Sequence, residues 1–118
     1  MKKAKLSLII IGVLLICAGM LSAQLKTVET VIDISPNPMD KFTSIEVRIS
    51  EVMNVSVNIE TDIGTVIKSL YWGPINESIV LSWDRYANDG SVVPAGKYYV
   101  VVNYPTRYTS TKKTLILK

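Results

Sequence analysis

The side chains best suited to chemistry lie together in one short polar segment. After Trp83 the chain carries Asp84, Asn88 and Asp89, and their carboxylate and amide oxygens are groups that calcium takes as ligands. Their spacing matches no EF-hand pattern, however, and Asp and Asn in loops commonly accept hydrogen bonds from nearby backbone N–H groups. We therefore expect Asp84 and Asn88 to close turns and Asp89-Gly90 to form a loop tip, with a calcium loop as the alternative.

The residue types on which most hydrolases and zinc enzymes depend are nearly absent. The 118 residues include no His and a single Cys, Cys17. This composition excludes His-based acid–base catalysis, Ser-His-Asp and Cys-His nucleophiles, and Cys/His zinc sites. A hydrolase would have to use Ser and Lys or paired carboxylates, and no such constellation is visible. The sequence predicts a protein that is not an enzyme and that holds no cofactor or metal.

The positive charge of the chain is confined to its beginning. The whole chain has 13 basic and 10 acidic residues, a net charge of +3, and three of the basic residues are Lys2, Lys3 and Lys5. Ten basic residues then remain against ten acidic ones in residues 24–118. Because binding to nucleic acids depends on neutralising phosphates, a body with no net charge predicts no nucleic-acid partner.

The first 23 residues have the layout of a secretory signal peptide. A basic start precedes an apolar run from Leu6 to Leu21, and Ser22-Ala23 comes before the first sustained polar residues. We expect cleavage after Ala23, which leaves a mature chain of residues 24–118 that is exported across the inner membrane and is secreted or held at the cell surface. Two alternatives remain, an uncleaved anchor and a lipid on Cys17, and only in those cases would the chain contact a membrane. The apolar run is shorter than the roughly 20 residues that a spanning helix needs.

The body of the chain alternates apolar and polar residues with a period of two. In residues 44–50, Ile45, Val47 and Ile49 share one face of a predicted strand and polar side chains share the other. Gly64 marks a hairpin turn, and residues 73–76 are typical of a loop. Seven strands are predicted in all, at residues 27–34, 44–50, 55–60, 66–72, 78–83, 97–104 and 111–117. Short strands separated by turns predict an all-β fold, an Ig-like antiparallel β-sandwich, here without the Cys-Trp-Cys hallmark of true Ig domains.

Two aromatic residues flank the polar segment. Trp83 and Tyr98 could form a binding platform or pack in the core. Trp83 has the same strand phase as Leu81, and Tyr98 has the same phase as Val100, which favours core packing for both. Several aromatic side chains exposed together elsewhere would instead mark a contact patch.

The segment from Trp83 to Tyr98 resembles a known family. The pair Trp83-Asp84 is followed by Gly90, seven residues after the Trp, and then by Gly96-Lys97-Tyr98. This pattern is similar to that of the Ig-like domain of the flagellar hook-capping protein and of the related C-terminal sorting domains of type IX secretion cargo. We expect Trp83, Asp84, Gly90, Gly96 and Tyr98 to form a structural corner between two strands.

Other parts of the chain resemble the same family in the same order. They are the Pro-Asn-Pro entry in residues 35–39, the hairpin at residues 62–64, and the Lys-rich aliphatic end at residues 112–118, so the resemblance spans about residues 28–118. The resemblance implies a fold and a role in attachment rather than a chemistry. The chain departs from the family at Arg85 and Ala87, where Gly and Asp are usual, and at Met39, where an aromatic residue is common.

Two functions fit these observations. One is an exported, non-catalytic Ig-like module that binds an extracellular or cell-surface protein of unknown identity. The other is a stand-alone relative or remnant of a type IX secretion sorting domain. We expect partner contacts either at the loop residues Arg85, Tyr86 and Asn88 or along the final strand, because an exposed strand edge pairs through its main chain. Lys112-Lys113 on that strand is expected to be solvated charge that discourages unwanted pairing.

Overall fold

The structure is a computed structural model that describes residues 28–105 and 109–118. The predicted signal peptide, its cleavage site and Cys17 lie outside the described residues. The described part of the chain contains seven strands and no helix: β1 (Thr30–Ser35), β2 (Thr43–Ile49), β3 (Met53–Glu60), β4 (Val66–Ile75), β5 (Ser78–Trp83), β6 (Gly96–Asn103) and β7 (Ser110–Leu117). The all-β prediction is confirmed.

The strands form two antiparallel sheets that face each other. One sheet has three strands in the order β1-β2-β5, and the other has four in the order β4-β3-β6-β7. The chain crosses between the sheets after β2, β4 and β5, while β1–β2, β3–β4 and β6–β7 pair within one sheet. This arrangement is the predicted Ig-like sandwich.

The core follows from the alternation seen in the sequence. On β2, Ile45, Val47 and Ile49 are buried, while the polar side chains between them face outward or lie at the rim. β3 and β6 supply the facing set, and each buried Val or Ile stabilises the fold by roughly 1.5–3 kcal/mol. The fully buried side chains of these two strands in the core are Val55, Val57, Ile59, Val100 and Val102.

The structure corrects the predicted loop at residues 73–76. β4 continues through Ile75, so only residue 76 of this segment is outside the strand, and Gly73 pairs with Val55 while Pro74 pairs with Asn54. Proline is tolerated here because β4 is an edge strand, where an N–H that would face solvent is not needed. Ile75 is buried, which ties the end of the strand to the core. The turn therefore comes later, at residues 76–77.

Two irregularities in the β3–β4 ladder explain why the buried face of β4 is ambiguous in the sequence. The register shifts between Val57 and Asn58 and again between Ile59 and Glu60. Each shift inserts an extra residue into β4, and a β-bulge of this kind reverses the face on which the following side chains lie. No single period-two pattern can describe such a strand.

The predicted hairpin between β3 and β4 is confirmed. Gly64 has a φ of +85° and donates its N–H to the carbonyl of Thr61 over 3.0 Å. The backbone N–H of Thr61 in turn donates to the carbonyl of Thr65 over 2.9 Å. A left-handed conformation at this position is open to glycine without a steric penalty.

Candidate functional site

The end of β5 and the loop after it form a closely bonded corner. Trp83 is only 1% exposed and its indole Nε1 donates to the backbone carbonyl of Tyr86 over 3.0 Å. Tyr98, at the start of β6, is half-buried against the core, and its hydroxyl donates to the carbonyl of Pro94 over 2.9 Å. Both aromatic side chains thus pack inward while their polar atoms bind the loop backbone. Gly96 begins β6 with a φ of +154°.

Two of the loop carboxylates bind backbone N–H groups two residues on. Asp84 Oδ1 accepts the N–H of Tyr86 over 3.1 Å. Asp89 Oδ1 accepts both the hydroxyl of Ser91 over 2.5 Å and its N–H over 2.9 Å. These bonds, the hydroxyl first, lower the pKa of the Asp89 carboxyl below its ordinary value. Gly90 stands beside them at a φ of +85°. Asp84 therefore makes the turn expected from sequence, and Asp89, expected with Gly90 at the loop tip, makes a turn of the same kind.

The structure corrects the predicted role of Asn88. The side chain of Asn88 does not close a turn within the loop. Its Oδ1 accepts the backbone N–H of Ser69 over 3.1 Å, and the backbone N–H of Asn88 donates to the carbonyl of Ile67 over 2.9 Å. The loop folds back along β4, so the amide meets an edge strand instead of its own backbone. Asn88 therefore covers the first half of the β4 edge.

Arg85 joins three segments of the chain. Its guanidinium donates to the backbone carbonyls of Val93 over 2.8 Å, Asp40 over 2.6 Å and Lys118 over 2.8 Å. The side chain is 13% exposed, and its φ of +70° is in the left-handed region, where the resembled family usually has glycine. The donors of Arg85 are thus used within the fold, between the corner, the entry to β2 and the end of β7.

Tyr86 is the predicted contact residue whose apolar side chain the structure leaves exposed. It is 47% exposed and pairs across the loop with Val92, which is 59% exposed. Asp40, Lys41 and Asp84 surround this apolar pair at the mouth of a shallow cavity. We call Tyr86 and Val92 the loop patch. Of the three predicted contact residues, Arg85 lies beneath the patch and Asn88 lies apart from it, against β4.

β7 is an edge strand, as predicted, but the segment around Asn37 and Met39 covers its second half. The side-chain amide of Asn37 donates to the carbonyl of Thr114 over 2.9 Å and accepts the N–H of Ile116 over 3.0 Å. Met39 continues this contact as a parallel bridge, donating to the carbonyl of Ile116 over 2.8 Å and accepting the N–H of Lys118 over 2.9 Å. The first half of β7, with its two lysines, is the part that this segment does not reach.

Sequence reasoning missed the covering roles of Asn37 and Met39. The signal lay in the Pro-Asn-Pro run, since its prolines turn the chain out of β1 and its asparagine is a side chain that carries both a donor and an acceptor. Pairing a side-chain amide with a strand 77 residues away has no short-range pattern.

The described residues hold no cluster suited to a metal. Nowhere in residues 28–105 and 109–118 do three His, Cys, Asp or Glu side chains come close enough together to bind an ion. In the same residues there is also no helix long and apolar enough to cross a membrane.

Comparison with known proteins places this architecture in a family. The model of the FlgD Ig-like domain matches residues 37–107, more than half of the chain. Among solved structures, dimeric latent PorU from Porphyromonas gingivalis matches with a TM-score of 0.58 and 22% identity, over 79% of this chain and 10% of that one. PorZ from the same organism, a bacterial surface component of the type IX secretion system, matches with a TM-score of 0.49 and 22% identity, over 74% of this chain and 11% of that one.

The likeness to PorU is therefore one of fold, and this chain spans about a tenth of either neighbour. No curated protein matches the chain. The family match begins within the Pro-Asn-Pro entry, at Asn37, and covers the whole corner around Trp83. The chain belongs to the FlgD Ig-like domain family.

Proposed function

We propose that this protein is an exported, non-catalytic Ig-like module that binds another protein outside the cell or at its surface. The observation that carries the proposal is the loop patch, an apolar Tyr86–Val92 pair exposed on a loop that the corner holds in place. Aromatic side chains are frequent anchors of protein interfaces, particularly where a rim of polar residues surrounds them. Asp40, Lys41 and Asp84 form such a rim.

The rigidity of the loop supports a binding role. Arg85 and Trp83 bond the loop backbone from beneath, and Asn88 bonds it to β4. A loop that is already ordered loses little conformational freedom when a partner binds, so more of the contact energy appears as affinity. The absence of His from the chain is consistent with a role that involves no acid–base chemistry.

A second candidate is a stand-alone relative or remnant of a type IX secretion sorting domain. The fold shared with a domain-sized part of PorU favours it. Both candidates act by attachment, and they differ in what is bound: a surface partner in the first case and a component of the secretion system in the second.

The test is capture of a partner from the envelope fraction of the host, with the exported protein as bait. Tyr86→Ser and Val92→Ser, which change the loop patch, should each lower the yield of the captured partner at least several-fold. Val31→Ser is the matched control, because Val31 is also exposed but lies on the outer face of β1. Equal capture by all of the variants would show that the contact lies elsewhere.

A further inference from the structure

The two sheets of the sandwich differ in width by one strand. β4 and β5 are edge strands, β4 in the four-stranded sheet and β5 in the three-stranded one, and they contact each other on the same side of the molecule. The apolar side chains of β4 that pack toward the core, Ile67, Leu70 and Tyr71, are only partly buried. Their counterparts on β3 are fully buried. Part of the inner face of β4 is therefore not covered by a facing strand.

A groove follows the uncovered strip beside β5. Its volume is about 480 Å³, and Phe42, 69% exposed, stands at its rim. Residues from both edges line it: Lys68, Ser69, Leu70, Ser82, Trp83 and Asp84. Because Asp84 also borders the loop patch, the groove and the patch form one continuous surface.

The backbone of β5 presents hydrogen-bonding groups toward this groove. The N–H of Ile49 donates to the carbonyl of Glu77, which sets the phase of the β2–β5 ladder. Since bonded and non-bonded pairs alternate in an antiparallel ladder, the N–H and C=O groups of Val80 and Ser82 point away from β2. Within the described residues, no hydrogen bond beyond that ladder reaches residues 79–82.

The other three edge strands, β4, β7 and β1, are protected in ways that β5 is not. On β4, Asn88 covers the first half, and the second half holds Pro74, whose carbonyl accepts the hydroxyl of Tyr71 over 2.5 Å. On β7, Asn37 and its neighbours cover one half. The edge of β1 lies beside β7, where Thr30, Tyr104 and Thr111 are joined through their hydroxyls. β5 contains no charge and no proline, which are the usual devices that block strand pairing.

We propose that this groove binds an extended segment of a partner protein, which adds to β5 as a fourth strand. This inference rests on the proposed function, and it names the second surface through which the module would bind. The added segment would carry apolar side chains inward, toward Phe42 and Leu70, and small uncharged side chains outward, beside Val80. Main-chain hydrogen bonds would supply affinity and the inward side chains specificity.

A second copy of the chain is the less suitable occupant. If two copies paired through β5, the β4 strand of each copy would also lie at the junction, because β4 and β5 are on the same side of the sandwich. The two β4 strands would then compete for the same groove, whereas a single extended segment brings no second sheet with it.

The experiment measures backbone amide shifts of the ¹⁵N-labelled exported protein while a probe is added. The probe is a short peptide that alternates valine and threonine, acetylated and amidated at its ends. Binding should shift the amides of Val80, Ser82 and Leu70. Val80→Pro removes one N–H that points into the groove, and proline at such an edge position leaves the β2 ladder intact. Its affinity for the probe should fall about tenfold or more, as expected for the loss of one main-chain hydrogen bond.

The matched control is Val80→Thr, which keeps the N–H and the branched shape and should bind within about twofold of the original protein. If Val80→Pro does not fold, the same probe with N-methyl groups on alternate amides, tested in both phases, gives the equivalent comparison. Equal binding of Val80→Pro, shifts confined to the β7 edge, no shift at millimolar probe, or pairing of two copies through β5 would each overturn the proposal. None of these results bears on capture through the loop patch, so failure here is distinguishable from failure of the proposed function.

Discussion

Replacing Arg85 tests whether one side chain holds the corner, the β2 entry and the end of β7 together. Its three bonds to backbone carbonyls, at 2.6 to 2.8 Å, are all made by a charged group. Hydrogen bonds of this kind contribute about 1.5–3 kcal/mol each, but they share one side chain and are not additive. The ion pair with Asp40 adds little, because the two charges are 3.9 Å apart and the carboxylate is 77% exposed.

The left-handed backbone of Arg85 offsets part of this gain. A φ of +70° costs a non-glycine residue about 1–2 kcal/mol relative to the right-handed region. For Arg85→Ala, which loses the bonds and keeps the strain, we expect a loss of about 3–4 kcal/mol in the free energy of unfolding. Arg85→Gly loses the same bonds, but glycine adopts a positive φ without a steric penalty. For this variant we expect a loss about 1 kcal/mol smaller than for the alanine variant. Arg85→Lys should fall between the original protein and the glycine variant, since one ammonium group cannot reach three carbonyls.

Urea unfolding of the protein, followed by tryptophan fluorescence and far-UV circular dichroism, measures these differences. The expected order of stability is Arg, Lys, Gly and then Ala at position 85. An alanine variant within about 1 kcal/mol of the original protein would refute the stabilising role assigned to the three bonds of Arg85. A glycine variant less stable than alanine would refute the assigned backbone conformation.

Four further predictions follow from the same structure. Trp83→Ala should cost about 3–5 kcal/mol in unfolding free energy, a large fraction of the stability of a domain of this size, as a lowered urea midpoint would show. Asn37→Ala should destabilise by about 1–2 kcal/mol and speed amide hydrogen exchange at Ile116, because the β7 edge loses its cover. Asp89 has a lowered pKa when folded, so the stability it contributes is present above its ordinary pKa of 3.8 and is lost as the pH falls through the lower folded value. Asp89→Asn should therefore flatten the acid side of the stability–pH curve, measured by urea titration. Calcium should shift the melting temperature little, and a large shift reversed by EDTA would restore the calcium-loop alternative.

The regular strands could be predicted because their side chains report burial directly. On β2, every second residue from Ile45 to Ile49 is apolar and every one of those is buried, so the strand and its inner face follow from the pattern. On β5 the report is weaker, because Ile79 and Leu81 are only partly buried and the apolar Val80 is exposed. Local alternation determines a strand such as β2 almost completely.

β4 could not be predicted to the same depth, because its bulges break the alternation and its edge position permits Pro74 in a strand. The candidate site shows the same division. The turn at Asp84 and the loop tip at Asp89-Gly90 are local and follow from the sequence, whereas the carbonyls that Arg85 binds come from residues up to 45 positions away. Contacts of that range depend on how the sheets pack, which no motif in the loop encodes.

The central claim, that the exported chain acts by binding through the loop patch, is tested most directly by photo-cross-linking in the host cell. A photoreactive residue is placed at Tyr86, with Val31 as the exposed control position, and the adducts are separated by cell fraction and mass. The account predicts a protein adduct from position 86 in the envelope or extracellular fraction and little from position 31. An adduct from position 31 but none from position 86, or a chain found only in the cytoplasm, would contradict it.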